Sequence, residues 1–267
     1  MSYHTFFGLK GQPFAADLAL DAILKTDDLR EVQQRILYTI ELGAIALVTG
    51  EVGAGKSTAL RWVAGGLHPS KYKPLWVTAT SGSILEVYRQ LLAELDIQTA
   101  SSSRAILTGL IRTQILALVQ SKKQQPVLII DEASLLRLDV FAELHTLTQF
   151  EGDSKPYLPI ILAGQNNLAD NLLYRTAVPL ASRIVARRHL QEVNREGMER
   201  YLDHHLKIAG LKHSPFDAQA VTAIHQGSGG LFRKANHLAR GALIAATSEK
   251  SQLVTAEHVR RAASELF

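Results

Sequence analysis

Apolar positions along the chain follow two rhythms, and the rhythm changes near residue 190. Before that point, short unbroken apolar runs alternate with segments whose apolar residues recur every three or four positions. The runs are Ile45–Thr49, Lys73–Ala79, Pro126–Ile130, Leu158–Gly164 and Ile184–Ala186. Runs of this length, bounded by turn residues, suit strands buried on both faces of a parallel sheet. The periodic segments Leu29–Leu42, Ile84–Leu95, Ile106–Val119 and Leu135–Phe150 read as helices, as does the stretch from Ala59. Leu172–Arg175 is assigned to a further helix, and Thr80–Ser83 to a turn and helix cap. From Val193 the runs stop. Glu196–Ala209, Asp217–His225, Leu231–Thr247 and Thr255–Leu266 read as four helices, with Gly210 ending the first and Thr255 capping the last. The pattern predicts an α/β domain over 1–190, with a five-stranded parallel sheet flanked by helices, and a small all-helical domain over 191–267.

Between the first run and its helix lies Gly50-Glu51-Val52-Gly53-Ala54-Gly55-Lys56-Ser57-Thr58. It fits G-x-x-x-x-G-K-[ST] with a strand before it and a helix after it. Glycines let the backbone curl until successive N–H groups point inward at phosphate oxygens, and the helix N-terminus adds its positive end. Lys56 is expected to reach the β- and γ-phosphates, and the Ser57 hydroxyl to ligate Mg²⁺. The third run ends in Asp131-Glu132. Alone, this pair would read as a cap on the next helix; with the glycine loop it reads as Asp131 for Mg²⁺ and Glu132 to polarise the attacking water. The fourth run ends in Gln165-Asn166, either of which can orient that water. Arg175, Arg183, Arg187 and Arg188 fall within fourteen residues without an acidic one among them. Arg183 is the candidate for an arginine finger given to a neighbouring subunit; DNA and solvent are the other readings. Arg233, near the start of the third late helix, can report the γ-phosphate.

Composition narrows this picture modestly. The chain has 267 residues, 46% hydrophobic and 20% charged, with net charge +4. No apolar run approaches the roughly 20 residues needed to span a bilayer. The N-terminus lacks a basic start followed by an apolar stretch, so no secretory signal is expected and a cytoplasmic location is the default. With no cysteine there is no disulfide. The ten histidines form no zinc-ligand pattern, since adjacent His204 and His205 diverge by about 100° on a helix. Between Ser101 and Lys123 every charge is positive, which suits either a solvated helix face or a surface for DNA phosphates. Phe6-Phe7-Gly8-Leu9 and Pro13-Phe14 either fold over the base of a nucleotide or pack on the core.

Taken together these residues resemble the AAA+ ATPases. Glu132 directly after Asp131 is similar to that superfamily's second motif, Ile160–Ala163 to its extra strand between the nucleotide motifs, and Arg233 to the lid arginine called sensor 2. The resemblance implies ATP and Mg²⁺. Phe7-Gly8-Leu9, Pro13-Phe14, Thr49–Ser57, Ile129–Ala133, Leu162–Gln165 and Gly229–Asn236 resemble the ATPase module of general secretion pathway protein A. That family continues into a membrane span and a periplasmic part. A shorter chain is expected to resemble the ATP-binding helper proteins of DNA transposons, such as the phage Mu target-selection ATPase and the Tn7-type regulators. That resemblance implies homo-oligomers, as rings or filaments, on double-stranded DNA, and recruitment or activation of a transposase. Lys71, Lys73, Arg104 and Arg112 are the candidates for the DNA-facing surface. A secretion-type ATPase and a nucleotide-gated scaffold with little hydrolysis are the alternatives.

Overall fold

In the computed structural model, which describes residues 2–265, the five apolar runs become five strands. They are β1 (Ile45–Gly50), β2 (Tyr72–Thr78), β3 (Gln125–Asp131), β4 (Ile160–Gly164) and β5 (Ile184–Leu190). All pairings are parallel, in the order β2-β3-β4-β1-β5. The helices are α1 (Tyr3–Phe7), α2 (Asp27–Leu42), α3 (Lys56–Gly66), α4 (Ile84–Glu94), α5 (Arg104–Gln120), α6 (Leu138–Leu147), α7 (Asn167–Asn171), α8 (Val178–Ala181), α9 (Arg195–Ile208), α10 (Ala218–Ser228), α11 (Phe232–Ser248) and α12 (Ala256–Ser264). Leu266, expected at the end of the last helix, lies outside the described residues.

The chain divides into two compact units. A sheet unit comprises Thr26–Gly50 and Lys56–Leu190. A helical unit comprises the described residues up to Lys25, Glu51–Gly55, and the chain from Gln191 onward.

In the sheet unit, strand side chains alternate between two covered faces. Ile45, Leu47, Leu75, Val77, Leu128, Ile130, Ile160 and Leu162 pack with α4, α5 and α6 residues such as Tyr88, Ile111 and Phe141. The alternating set Ala46, Val48, Val127, Ile129, Ile161 and Ala163 is buried too, on the side where α2 and α3 meet β1. Each fully buried Val, Leu or Ile contributes about 1.5–3 kcal/mol, which is why unbroken runs were needed here. Thr26 caps α2, its hydroxyl accepting from Leu29 N at 3.2 Å. β5 runs four residues past the expected end at Ala186 because an edge strand tolerates charge on its open side. There Arg187 is exposed, and Arg188 pairs with Asp28 and, at 2.8 Å, with Glu31 on α2.

In the helical unit, Asn194 and Asp217 cap α9 and α10 by accepting from Gly197 N and Ala220 N at 2.8 and 2.6 Å. Thr255 caps α12 within a capping box that uses His258. Met198, Leu202, Ile224, Leu238, Leu243 and Val259 form the core. Phe14 is in that core, 1% exposed, and Arg240 donates to its carbonyl at 2.9 Å. The N-terminal aromatic segment therefore packs on its own unit's core.

Two expected helices differ from the observed chain. The stretch 135–150 is not one helix: a 3-10 turn, Ala133–Leu135, precedes α6, and Phe150 bridges Lys155. Glu132 adopts a left-handed conformation (φ 53°), which turns the chain out of the strand and delays the helix. Leu172–Arg175 is a run of turns between α7 and α8, with Leu173 N on Asp170 O and Ala177 N on Tyr174 O. Pro179 has no N–H to continue a helix from upstream and sits instead in the first turn of α8.

Candidate functional site

The phosphate-loop motif spans the turn from β1 into α3. Gly53 and Gly55 have φ of 90° and 97°, a region costly to any residue with a Cβ. At Gly53 a second constraint applies: an added Cβ would lie 2.8 Å from Arg233 Cβ, and Arg233 N donates to Gly53 O at 3.4 Å. Lys56, the first residue of α3, is 6% exposed, and its ammonium donates to Gly50 O at 2.8 Å. The carbonyl that ends β1 thus holds the Lys56 ammonium. Thr49 Oγ1 meets His189 Nδ1 at 3.0 Å, tying the ends of β1 and β5.

Two strands away, β3 delivers Asp131 and Glu132. Asp131 is 7% exposed, and its Oδ1 accepts from Glu132 N at 2.9 Å. β4 lies between β3 and β1 and delivers Gln165, half-buried, and Asn166, exposed. Lys56 and Ser57, Asp131 and Glu132, and Gln165 and Asn166 are thus brought to the C-terminal ends of three adjacent strands, where parallel α/β sheets bind ligands. This donor set fits a nucleotide with Mg²⁺. Backbone N–H groups and a lysine suit phosphate. One hydroxyl and one buried carboxylate suit a hard cation that takes its remaining ligands from phosphate and water.

Arg183 is not brought there. It precedes β5 at the opposite end of the sheet, where its carbonyl accepts from the first residue of β1, Ile45 N, at 3.1 Å. Its guanidinium is held by both Asp153 oxygens at 2.6 Å and donates from Nε to His145 Nδ1 at 3.2 Å. Hydrogen bonding from Arg183 holds the Asp153 carboxyl below its ordinary range. Burial, then the charge of Arg183, lowers the His145 pKa, which favours the neutral ring as acceptor. Arg175 and Arg187 are exposed and carry no ion pair among the described residues. Arg233 is the second residue of α11, exposed, in the helical unit.

The four basic residues proposed to face DNA all have partners within the sheet unit. Arg104 pairs with Glu143 at 2.8 Å, and Lys73 with Asp96 at 3.1 Å. Arg112 donates to the Thr146 and Gln149 carbonyls and lies over the Phe150 ring. Arg112 therefore closes the C-terminal end of α6. Lys71 lies over Tyr72 at 5.2 Å from the ring centroid.

Sequence reasoning assigned no role to Ser134, Asp153 or His145. Ser134 is 7% exposed, and its hydroxyl accepts from Gln165 N at 3.2 Å. No local pattern marks it, because its partner lies thirty-one residues away. Among the described residues no helix is long and apolar enough to cross a membrane.

Residues 40–172 match the AAA domain family. The chain is 30% identical over 266 residues to general secretion pathway protein A of Aeromonas hydrophila, covering 99% of this chain and 48% of that protein. It thus spans about half the length of that relative. Among solved structures, it is similar to Cdc6p from Pyrobaculum aerophilum, with TM-score 0.76 at 15% identity over 95% of this chain and 70% of the other. The Aeropyrum pernix ORC1 protein in complex with DNA gives 0.69 at 18% identity over 95% and 68%. The Thermotoga maritima RuvB Holliday junction branch migration motor gives 0.56 at 17% over 98% and 73%. At these identities the structural likeness speaks for the fold. A strand order that inserts β4 between the two nucleotide motifs, with residues 40–172 matching the AAA domain family, gives this chain the α/β P-loop fold of the AAA+ ATPases; it is an ATPase working on ATP with Mg²⁺.

Proposed function

We propose that this ATPase is a cytoplasmic, ATP-dependent regulator of DNA transposition. It oligomerises as a ring or filament on double-stranded DNA and recruits or activates a transposase; hydrolysis drives disassembly. In this reading residues 1–190 bind nucleotide and 191–267 act as a lid. Residues Gly50–Thr58 hold the phosphates, and Ser57 and Asp131 hold Mg²⁺, which supplies charge neutralisation along the phosphate chain. Glu132 takes the proton of the attacking water, and Gln165 or Asn166 orients that water. Arg183 serves a neighbouring subunit's nucleotide, and Arg233 reports the γ-phosphate.

The observation that carries the assembly is the position of Arg183, at the end of the sheet opposite its own site. An arginine there serves a nucleotide only in trans, so nucleotide and assembly become linked. The DNA part is supported by the fold shared with the Aeropyrum pernix ORC1 protein, whose structure is a complex with DNA.

A second reading has its own observation: 30% identity across 99% of the chain to general secretion pathway protein A. Under it the ATPase acts on a membrane or cell-wall assembly partner. Fluorescence anisotropy on labelled duplex DNA separates the two. It is measured without nucleotide, with ADP, with ATP, and with ATP and the Lys56→Ala protein. Binding that needs ATP and Lys56, and weakens steeply with salt as phosphate contacts require, is the expected result. Intact hydrolysis with no DNA binding under any nucleotide would overturn the transposition reading and favour the secretion-type one.

A further inference from the structure

We infer that Ser134 is a positioning residue for ATP hydrolysis: its hydroxyl sets the spacing between Glu132 and the Gln165–Asn166 pair. The inference rests on the roles proposed above for Glu132 and Gln165 or Asn166.

The ladder between β3 and β4 stops short of the site. Its pairs run from Leu128↔Ile160 to Ile130↔Leu162 and no further. Beyond them, Asp131 is paired with Thr78 on β2, and Gly164 with Thr49 on β1. Each strand end is therefore held by its outer neighbour, and no backbone ladder fixes one against the other where the chemistry is. The chain after β3 spans this gap. Glu132 turns left-handed, and the 3-10 turn brings Ser134 against the end of β4. The first amide beyond β4, Gln165 N, donates to Ser134 Oγ at 3.2 Å. Asn171 Nδ2 approaches Ser134 O at 3.5 Å, so α7 leans on the same residue. The packing leaves no room for slack: a Cβ on Gly164 would lie 2.7 Å from Ser134 N and 3.0 Å from Leu168 Cδ2.

A small residue with a hydroxyl is what this place requires. Alanine at 134 leaves the Gln165 amide without this acceptor, whereas threonine keeps a hydroxyl for it. Ser134 is two residues from Glu132 and one hydrogen bond from Gln165. A shift at Ser134 thus moves the proton acceptor and the water-orienting group relative to each other, while Lys56 and Ser57, which follow β1, stay in place. Misplacement of reacting groups by a fraction of an ångström lowers rate without lowering affinity.

The test compares Ser134→Ala, Ser134→Thr, Gln165→Ala, Asn166→Ala and the doubles of Ser134→Ala with each of the last two, in the full chain. Steady-state kcat and KM for ATP are read beside hydrogen exchange at the Gln165 amide. Ser134→Ala is expected to lower kcat about tenfold with KM unchanged and to speed exchange at Gln165 but not at Leu162. Ser134→Thr is expected to restore most of the rate. In the double with whichever of Gln165 or Asn166 matters, Ser134→Ala should add little. Ser134→Ala with unchanged kcat, while Gln165→Ala or Asn166→Ala is slow, would overturn the role of Ser134 and leave the water-orienting reading standing. Neutral Gln165→Ala and Asn166→Ala would instead remove the water-orienting reading itself. Equal losses with and without the second substitution, or no rescue by threonine, would make Ser134 merely structural. Should Ser134→Ala fold poorly, Gly164→Ala separates the same strand ends from the other side and is expected to give the same kcat loss at constant KM; normal kcat in that variant counts against the inference.

Discussion

At the scale of single residues, the proposed roles separate holding ATP from cleaving it. Lys56 is buried with its charge on the Gly50 carbonyl, so alanine removes the charge and takes one donor from that carbonyl. Lys56→Ala is expected to fold, with stability in the absence of nucleotide lowered by about 1 kcal/mol in a melting curve, and to lose ATP binding in a filter assay. Glu132→Gln keeps shape and removes the proposed proton acceptor. It should bind ATP as the unaltered protein does and slow single-turnover phosphate release by about 10²–10⁴-fold. Retention of hydrolysis by Glu132→Gln would make another group the base. Gly53→Ala meets two costs at once: a left-handed backbone worth about 1–2 kcal/mol and a clash with Arg233 Cβ. Its signature is weakened ADP and ATP binding alike, read by calorimetry, because a displaced loop serves neither.

At the scale of elements, two contacts give further expectations. The turn between Phe150 and Lys155 holds Glu151, Gly152 and Asp153 all at positive φ, and it presents Asp153 to Arg183. If Arg183 acts on a neighbour, this pair has to open. Asp153→Asn should then lower the protein concentration at which ATPase activity rises, while Arg183→Ala abolishes that rise; an unchanged threshold in Asp153→Asn would count against the pair as a restraint. In α9, His205 is 4% exposed between Phe14 and Tyr201. Burial, with the nearby His204 charge, pushes its pKa down to about 4. Unfolded, the ring takes a proton near its ordinary value of 6.5, so between these values the unfolded chain binds the extra proton and stability falls as pH falls. His205→Phe should remove about 2 kcal/mol of the stability lost between pH 7 and 5, read by denaturant melts of both proteins.

These elements also show what a reader of the sequence can reach. The five strands were legible because burial on both faces demands unbroken apolar residues, and Asp131-Glu132 because it closes one such run. The helix expected over 135–150 failed at Glu132, whose left-handed turn leaves no trace in hydrophobic periodicity. Arg112 reads as a surface charge until Thr146 and Gln149 are seen to receive it. Ser134 and Asp153 were hidden for the same reason: each acts through a partner about thirty residues away, and only the fold brings them together.

At the scale of the whole molecule, nucleotide binding and folding are linked quantities. A ligand that binds only the folded chain stabilises it by about 2.7 kcal/mol at a hundredfold excess over Kd. ATP with Mg²⁺ should therefore raise the melting temperature of the unaltered protein and leave Lys56→Ala where it was, a comparison differential scanning fluorimetry makes directly. The base of the phosphate loop has a less obvious consequence. Gly50 ends β1, a strand buried along all six residues and flanked by β4 and β5. Local opening reaches edge strands and termini long before it reaches such a centre. On heating, then, the Gly50 end of β1 is expected to stay closed until the sheet itself unfolds, so hydrogen exchange at the Gly50 amide should follow global unfolding and not precede it.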